Sequence, residues 1–320
     1  MKTRELGRLG VRVSAVGLGT AQLANVDGSA PGVKHVDSKD ARRMLERAVE
    51  DGMTFFDTGD QYGAAEELLG ALPSSLRKEI LVATKAGLRD DGKRDFSPDY
   101  LRARLERSLR RLKTERIDLY QLNKPSVSDW KDGRLSSFLS EEKRRGRIRF
   151  AGVVVGESAD GLRALDEACV DSVQVLFHLL YHGATPVIAE AARLGKGVIV
   201  RSPLNSGLLS GSYRPDTVIP ATDERSRYFT GPEFQKRILA LQGIQNDLRV
   251  ADASLIEFAL RFCLSEPGVS TVIAGASALA QARRYAACAD ADPFSASELD
   301  RIKAVVAARM AGVGGAYQLR

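Results

Sequence analysis

Short apolar runs at 13–19, 54–57, 80–85, 117–123, 149–155, 172–177, 197–202 and 270–275 alternate with longer stretches in which apolar residues return every three or four positions. The runs have the length and two-sided apolar character of strands buried in a parallel sheet, and the stretches between them carry the single stripe of a surface helix. Segment 97–113 is the clearest helix: Leu101, Leu105, Leu109 and Leu112 form one stripe, Pro98 suits the first turn and Ser97 stands at the capping position. Further helices are expected over 38–50, 158–167, 186–194, 251–264 and 278–287. Ahead of them, 3–13 alternates polar and apolar residues around Gly7 and Gly10, which predicts a hairpin.

Eight such strand and helix units predict an α/β chain closed into a (β/α)8 barrel, because right-handed crossovers with helices outside bury a parallel sheet on both faces. The length of 320 residues fits one domain with insertions. Its core runs from about 13 to 290 and a C-terminal helix and tail occupy 291–320. In this architecture active residues lie at the carboxyl ends of the strands and in the loops that follow. Two long loops, 21–37 and 205–231, leave that face and are read as lids or binding loops.

Composition narrows the choices. With 44% hydrophobic and 28% charged residues, no apolar run approaches the length of a membrane span, and Met1-Lys-Thr-Arg4 lacks a signal-peptide core. A cytoplasmic protein is expected. Cys169, Cys263 and Cys288 are an odd, widely spaced set, and His35, His178 and His182 stand in no metal-ligand pattern, so neither a disulfide framework nor a metal site is expected. The formal charge of +6 favours an anionic ligand such as a nucleotide. The mixed-sign run 141–149 reads as a solvated helix end rather than a nucleic-acid patch.

The candidate chemistry begins at F-D-T-G-D-Q-Y-G, 56–63, and V-A-T-K-A-G, 82–87. They put an acid (Asp57), a phenol (Tyr62) and an amine (Lys85) at or just after successive strand ends. An ammonium beside a phenol stabilises its anion, and a carboxylate keeps that ammonium charged and oriented, so Tyr62 can exchange a proton near neutrality. A surface tyrosine beside an ordinary Asp–Lys pair would have the same composition; the flanking sequence favours the first reading. Two segments can hold phosphate: 201–211, rich in small and hydroxyl residues, and 272–277, which runs into a helix N-terminus. No Rossmann fingerprint, Walker A or G-x-S-x-G occurs, so phosphate binding falls to barrel loops.

The motifs V-G-L-G-T at 16–20, F-D-T-G-D-Q-Y-G at 56–63, A-T-K-A-G at 83–87, I-D-L-Y-Q-L at 117–122 and R-S-P-L-N-S-G-L-L-S-G at 201–211 resemble, in order and spacing, the aldo-keto reductase family. The resemblance implies a (β/α)8 barrel that binds NADP(H), with NAD(H) as the other nicotinamide dinucleotide, and reversibly reduces carbonyls without metal. It implies Tyr62 as proton donor, Lys85 as the charge that activates it and Asp57 as partner to Lys85, shared with the cofactor set. Where the family usually has Q-L-H, this chain reads Gln121-Leu122-Asn123. Asn123 can donate a hydrogen bond to a carbonyl but cannot titrate, so proton transfer rests on Tyr62.

The resemblance also assigns Gly19, Thr20, Gln174, Arg201, Ser202, Leu204, Gly207 and Leu209 to the nicotinamide and pyrophosphate, with Gly275, Ser277, Gln281 and Arg284 at the adenosine end. Arg201 stands where many members have an aromatic residue against the nicotinamide. Arg284 and Tyr285 stand where many have Glu and Asn, and Arg283 or Arg284 suits a 2′-phosphate, favouring NADP. Gln22, Trp130 and Tyr228 join Tyr62 and Asn123 as candidate substrate contacts. The expected substrate is a small aldehyde, ketone or the corresponding alcohol, sugar-like or polyol, with no nucleic-acid or membrane partner. A low-turnover NADPH sensor on the same barrel is the alternative reading, and a changed outcome such as C=C reduction or a net non-redox step is the second.

Overall fold

The structure, a computed structural model, describes residues 1–26 and 35–313. It opens with an antiparallel hairpin of β1 (Thr3–Glu5) and β2 (Arg12–Ser14), with Thr3 opposite Ser14. Eight parallel strands then close into a barrel: β3 (Val16–Gly19), β4 (Phe55–Asp57), β5 (Leu81–Ala86), β6 (Ile117–Asn123), β7 (Ile148–Val154), β8 (Ser172–Leu176), β9 (Gly197–Arg201) and β10 (Thr271–Gly275), with β10 returning to β3. Residues 13–19, expected as one strand, are divided. Ser14 and Thr54 exchange hydrogen bonds, the Ser14 N–H to Thr54 Oγ1 at 2.7 Å and the Thr54 N–H to Ser14 Oγ at 3.0 Å. Val13 therefore belongs to the hairpin and the barrel strand begins at Val16.

The helices are α1 (Ser38–Glu50), α2 (Ala65–Gly70), α3 (Ser74–Arg77), α4 (Pro98–Arg111), α5 (Arg134–Arg144), α6 (Ser158–Leu165), α7 (Thr185–Arg193), α8 (Gly231–Leu248), α9 (Leu255–Ser265), α10 (Leu279–Cys288) and α11 (Ala296–Met310). The stripe expected on α4 is buried at Leu101 and Leu105, as is Leu112 just beyond its end. Ser97 precedes that helix, but its hydroxyl donates to Asp95 Oδ1 at 2.7 Å and makes no cap. The 18-residue α8 lacked a readable stripe because Arg237 and Gln245 share its buried face with Phe234, Ile238 and Leu241. The loop after β9 is anchored by a small core of Leu208, Phe229, Phe234 and Ile238.

The main core lies between the strands and the helices. A second core fills the barrel axis: Phe55, Ala83, Leu119, Ile199 and Ile273 point inward, and Leu6 and Val13 of the hairpin close them off below. Among the described residues no helix is long and apolar enough to cross a membrane. The three cysteines are free. Part of the 21–37 loop and most of the 311–320 tail lie outside the described residues.

Candidate active site

Strand side chains alternate faces, so every second residue of a barrel strand points along the axis. Leu119 is inward, which makes Gln121 and Asn123 the next two inward residues towards the mouth of β6. The same count carries Phe55 to Asp57 on β4, Ala83 to Lys85 on β5 and Ile199 to Arg201 on β9. A polar layer therefore sits directly on the apolar axis core. The register sets Lys85 beside Gln121 and Asn123 beside Val154.

Within that layer the buried Lys85 donates from Nζ to Asp57 Oδ1 at 2.5 Å and to the Thr58 carbonyl at 2.6 Å. The second carboxylate oxygen, Oδ2, accepts from Gln174 Nε2 at 2.8 Å and Gln121 Nε2 at 3.1 Å. Gln174 also donates to Gln121 Oε1 at 3.1 Å. Asp57 is thus a buried charge with a cation and two amides on it, the pairing that such a charge requires. Lys85 Nζ stands 4.8 Å from the centroid of the Tyr62 ring. Burial pulls its ammonium down, but the charges of Asp57 and then Tyr62, with hydrogen bonds to both, hold it above its ordinary value. Gln121 received no role from the sequence, because its place beside Lys85 follows from the register of β6 on β5.

Tyr62 is carried by a tight turn, its N–H donating to the Gly59 carbonyl at 2.9 Å. Gly63 follows with φ +47°, and a Cβ there would collide with the Ala24 carbonyl. Three arginines of α4 and its end clamp this turn. Arg107 and Arg111 donate to the Asp60 carbonyl at 2.8 and 3.0 Å, and Arg104 pairs with its carboxylate at 2.7 Å. Burial raises Asp60 to about 6, outweighing Arg104 and Arg107, with Glu66 and Asp90 adding to the rise. The arginine pairs are close, so the raised value reflects how completely the carboxylate is removed from water. None of these arginines was singled out from sequence, because a helix stripe of Arg reads as a solvated face.

At the mouth, the half-buried Asn123 has a side-chain amide with no hydrogen-bond partner among the described residues. Arg201 reaches the Val155 carbonyl at 3.5 Å and leaves its Nε without a partner. Burial lowers its guanidinium, against the charges of Tyr62, Asp57 and Tyr181. The other expected substrate contacts do not gather here. Trp130 is 2% exposed and packs in the outer core, between the segments around α5 and α6, so it does not wall a pocket. Gln22 lies over Gly275, on the other side of the mouth. Tyr228 packs on the small core of the loop after β9.

The expected cofactor residues follow the opposite rim. Gly19 and Gly275 are register partners on β3 and β10, and a Cβ on Gly19 would stand 3.7 Å from the Gly275 Cα. Thr20 is fully buried, its N–H and hydroxyl donating to the Asp57 carbonyl at 2.9 and 3.1 Å, so it positions Asp57 rather than facing a ligand. After β9, Ser202, Asn205, Ser206 and Gly207 have φ of +53°, +46°, +54° and +92°. Side chains resist that conformation; it folds the loop back on itself, with the Asn205, Gly207 and Leu209 N–H groups donating to the Ser202 and Leu204 carbonyls at 2.9, 3.0 and 3.1 Å, so an anion would meet the remaining N–H groups and hydroxyls of the loop. Leu204 and Leu209 turn their side chains into the protein and offer only backbone. At α10, Gln281 Oε1 accepts from the Ser277 N–H at 2.9 Å. Tyr285 is buried, Arg283 pairs with Asp51 at 3.2 Å and Arg284 donates to the Ala253 carbonyl. The glycines and short side chains along this rim fit a dinucleotide lying on it, whereas the buried Gln174 spends its amide N–H groups on Asp57 and Gln121; Arg284 is exposed.

A family model described as "Aldo/keto reductase family" matches residues 15–307. The "Uncharacterized oxidoreductase YqkF" of Bacillus subtilis (strain 168) is 28% identical over 312 residues, covering 95% of this chain and 96% of that protein. The "D-threo-aldose 1-dehydrogenase" of Pseudomonas sp is 30% identical over 304 residues, covering 85% and 88%. Among solved structures, the holo form of "aldo-keto reductase AKR11C1" from Bacillus halodurans is similar with a TM-score of 0.77 at 28% identity, covering 95% of this chain and 96% of that one.

Proposed function

The chain belongs to the aldo/keto reductase family, carbonyl-reducing oxidoreductases that use nicotinamide cofactors, and from that premise we propose that it reduces a small aldehyde or ketone with NADP(H), Tyr62 acting as proton donor. The observation that carries this reading is the buried Lys85–Asp57 pair at 2.5 Å with its ammonium against the Tyr62 ring. A bound nicotinamide dinucleotide supplies the hydride to the carbonyl carbon, or accepts it in the reverse direction. Tyr62 gives its phenolic proton to the carbonyl oxygen, and the Lys85 ammonium then faces the oxygen left negative. Asp57, held by Gln121 and Gln174, keeps that ammonium charged and fixed. Asn123, whose amide has no partner among the described residues, orients the carbonyl by hydrogen bond without titrating.

The loop of left-handed residues after β9 supports pyrophosphate binding, and Arg284 supports NADP over NAD, since its guanidinium has donors beyond the one used on Ala253. A sugar-like or polyol substrate draws support from the similarity to D-threo-aldose 1-dehydrogenase. The test is NADPH oxidation across a panel of aldehydes and sugars, repeated with Tyr62→Phe. We expect the substitution to lower kcat by about 100-fold or more while NADPH affinity, read by fluorescence titration, is retained. Tight NADPH binding without turnover on any member of the panel would instead favour the sensor reading.

A further inference from the structure

Lys124 follows Asn123 at the end of β6 and is held in a left-handed conformation, φ +61°, which a lysine adopts only against steric resistance. Its N–H donates to the Val154 carbonyl at 2.9 Å, and its stem runs beside Gly156, where a Cβ would stand 3.6 Å from the Lys124 Cβ and 3.9 Å from its Cδ. The side chain is only half exposed, yet its ammonium has no hydrogen bond and no ion pair among the described residues. Arg201 holds the Val155 carbonyl, so the two cations border the same end of β7 from opposite sides. The ammonium is not among the buried polar atoms that lack a partner, so it reaches solvent at the mouth with its donors free for a ligand, next to the Asn123 amide.

Resting on the carbonyl-reductase reading, we propose that the substrate carries an anionic group, a carboxylate or a phosphate ester, and that Lys124 pairs with it as the residue that selects this class. The cofactor's phosphates are not the anion in question: the segments expected to hold them follow β9 and β10, whereas Lys124 follows β6, across the mouth in the strand order. The charged groups facing Lys124 are Arg201 and Arg94, which make the region more positive, and Glu157, which opposes them. Burial, then Arg201 and Arg94, bring the ammonium down to about 8. It is charged at neutral pH, and the preference for anions is full below that value and fades as pH rises through it.

The experiment compares kcat/KM for D-glucuronate, D-glucose 6-phosphate and D-glucose with NADPH at pH 7, in the wild type and in Lys124→Met. We expect the ratio of charged to neutral substrate to fall by about 10- to 100-fold in the variant, through KM, and the wild-type preference to weaken with added salt. Whichever charged hexose carries the larger effect distinguishes carboxylate from phosphate. A ratio unchanged by the substitution overturns the proposal. Calorimetric binding of the anion D-gluconate against neutral D-glucitol, neither of which NADPH can reduce, to the protein with and without NADPH, gives a readout that needs no turnover. If gluconate binds no tighter than glucitol, or binds Lys124→Met equally well, the anion site is wrong. If gluconate binding depends on Lys124 while no carbonyl is reduced, the anion site stands and the reductase reading fails.

Discussion

Replacing Lys85 with Met separates what the buried ion pair does for the fold from what it does for chemistry. At the observed 2.5 Å, with an effective dielectric of about 20, Lys85 and Asp57 attract by about 7 kcal/mol. Most of that is offset by removing both from water, but deleting only the cation strands the carboxylate, so Lys85→Met should lose about 3–5 kcal/mol of stability. Gln121 and Gln174 still donate to Asp57, which places the loss towards the lower end. At 4.8 Å from the ring, the missing charge removes about 3 kcal/mol of support for the phenolate, or about two orders of magnitude in kcat. Adding Asp57→Asn leaves neither charge buried, and stability should return to within about 2 kcal/mol of wild type while kcat stays low. The assay is thermal denaturation beside steady-state NADPH oxidation for both singles and the double. If kcat recovers together with stability in the double variant, the single variant was slow because it was misfolded, and the role given to the ammonium is refuted. Because the folded state holds the ammonium above its ordinary value, its stabilisation is full below about pH 10.5 and is lost as pH rises through the higher folded value. Lys85→Met should lack that alkaline loss.

Two further outcomes follow from the turn that carries Tyr62 and from the groups buried near it. Asp60 is raised to about 6 from 3.8, so its contribution to stability is complete below about 3.8 and lost as pH rises through 6, a span of about two units or about 3 kcal/mol. The buried His178, lowered to about 3 by burial and then by His182 and Arg201, works in the opposite sense, contributing above 6.5 and losing that contribution as pH falls through 3. His182, lowered chiefly by burial, adds to that loss, so Asp60 offsets only part of it: wild-type stability should fall between pH 6 and 4, and Asp60→Asn should fall more steeply over that range; equal slopes in denaturation series would contradict the assignment. Gly63→Ala forces a side chain into a left-handed position against the Ala24 carbonyl and should cost about 2 kcal/mol or more, with kcat lowered as the turn shifts. A melting temperature equal to wild type would show that the turn is not so confined.

The barrel was legible because parallel strands buried on both faces leave dense apolar runs, and these survive translation into structure with ends shifted by a residue or two. Asp57, Tyr62 and Lys85 were legible because they terminate or follow such runs. What the chain concealed were groups whose meaning depends on register or on a distant partner. Gln121 acquires its role only when β5 and β6 are aligned, and the arginines of α4 only when Asp60 is found beneath them. Trp130 is ambiguous in sequence for the same reason: a loop after a strand can face the mouth or fold back beneath the helices, and here the side chain is buried in the outer core. The helix α8 was hidden by Arg237 and Gln245, polar residues buried through contacts far away in sequence.

The hairpin that closes the lower end of the barrel has a consequence for proton traffic. Leu6 and Val13, with the apolar ring above them, put a layer of buried apolar side chains between the polar ring and that end of the barrel. The ring of Asp57, Lys85, Gln121 and Gln174 is itself buried, and the half-buried Tyr62 and Asn123 stand on its other side, towards the barrel mouth. In the proposed reaction, a guest seated at the mouth would cover Tyr62, so the hydrogen it gives up would be reloaded between the departure of one guest and the entry of the next.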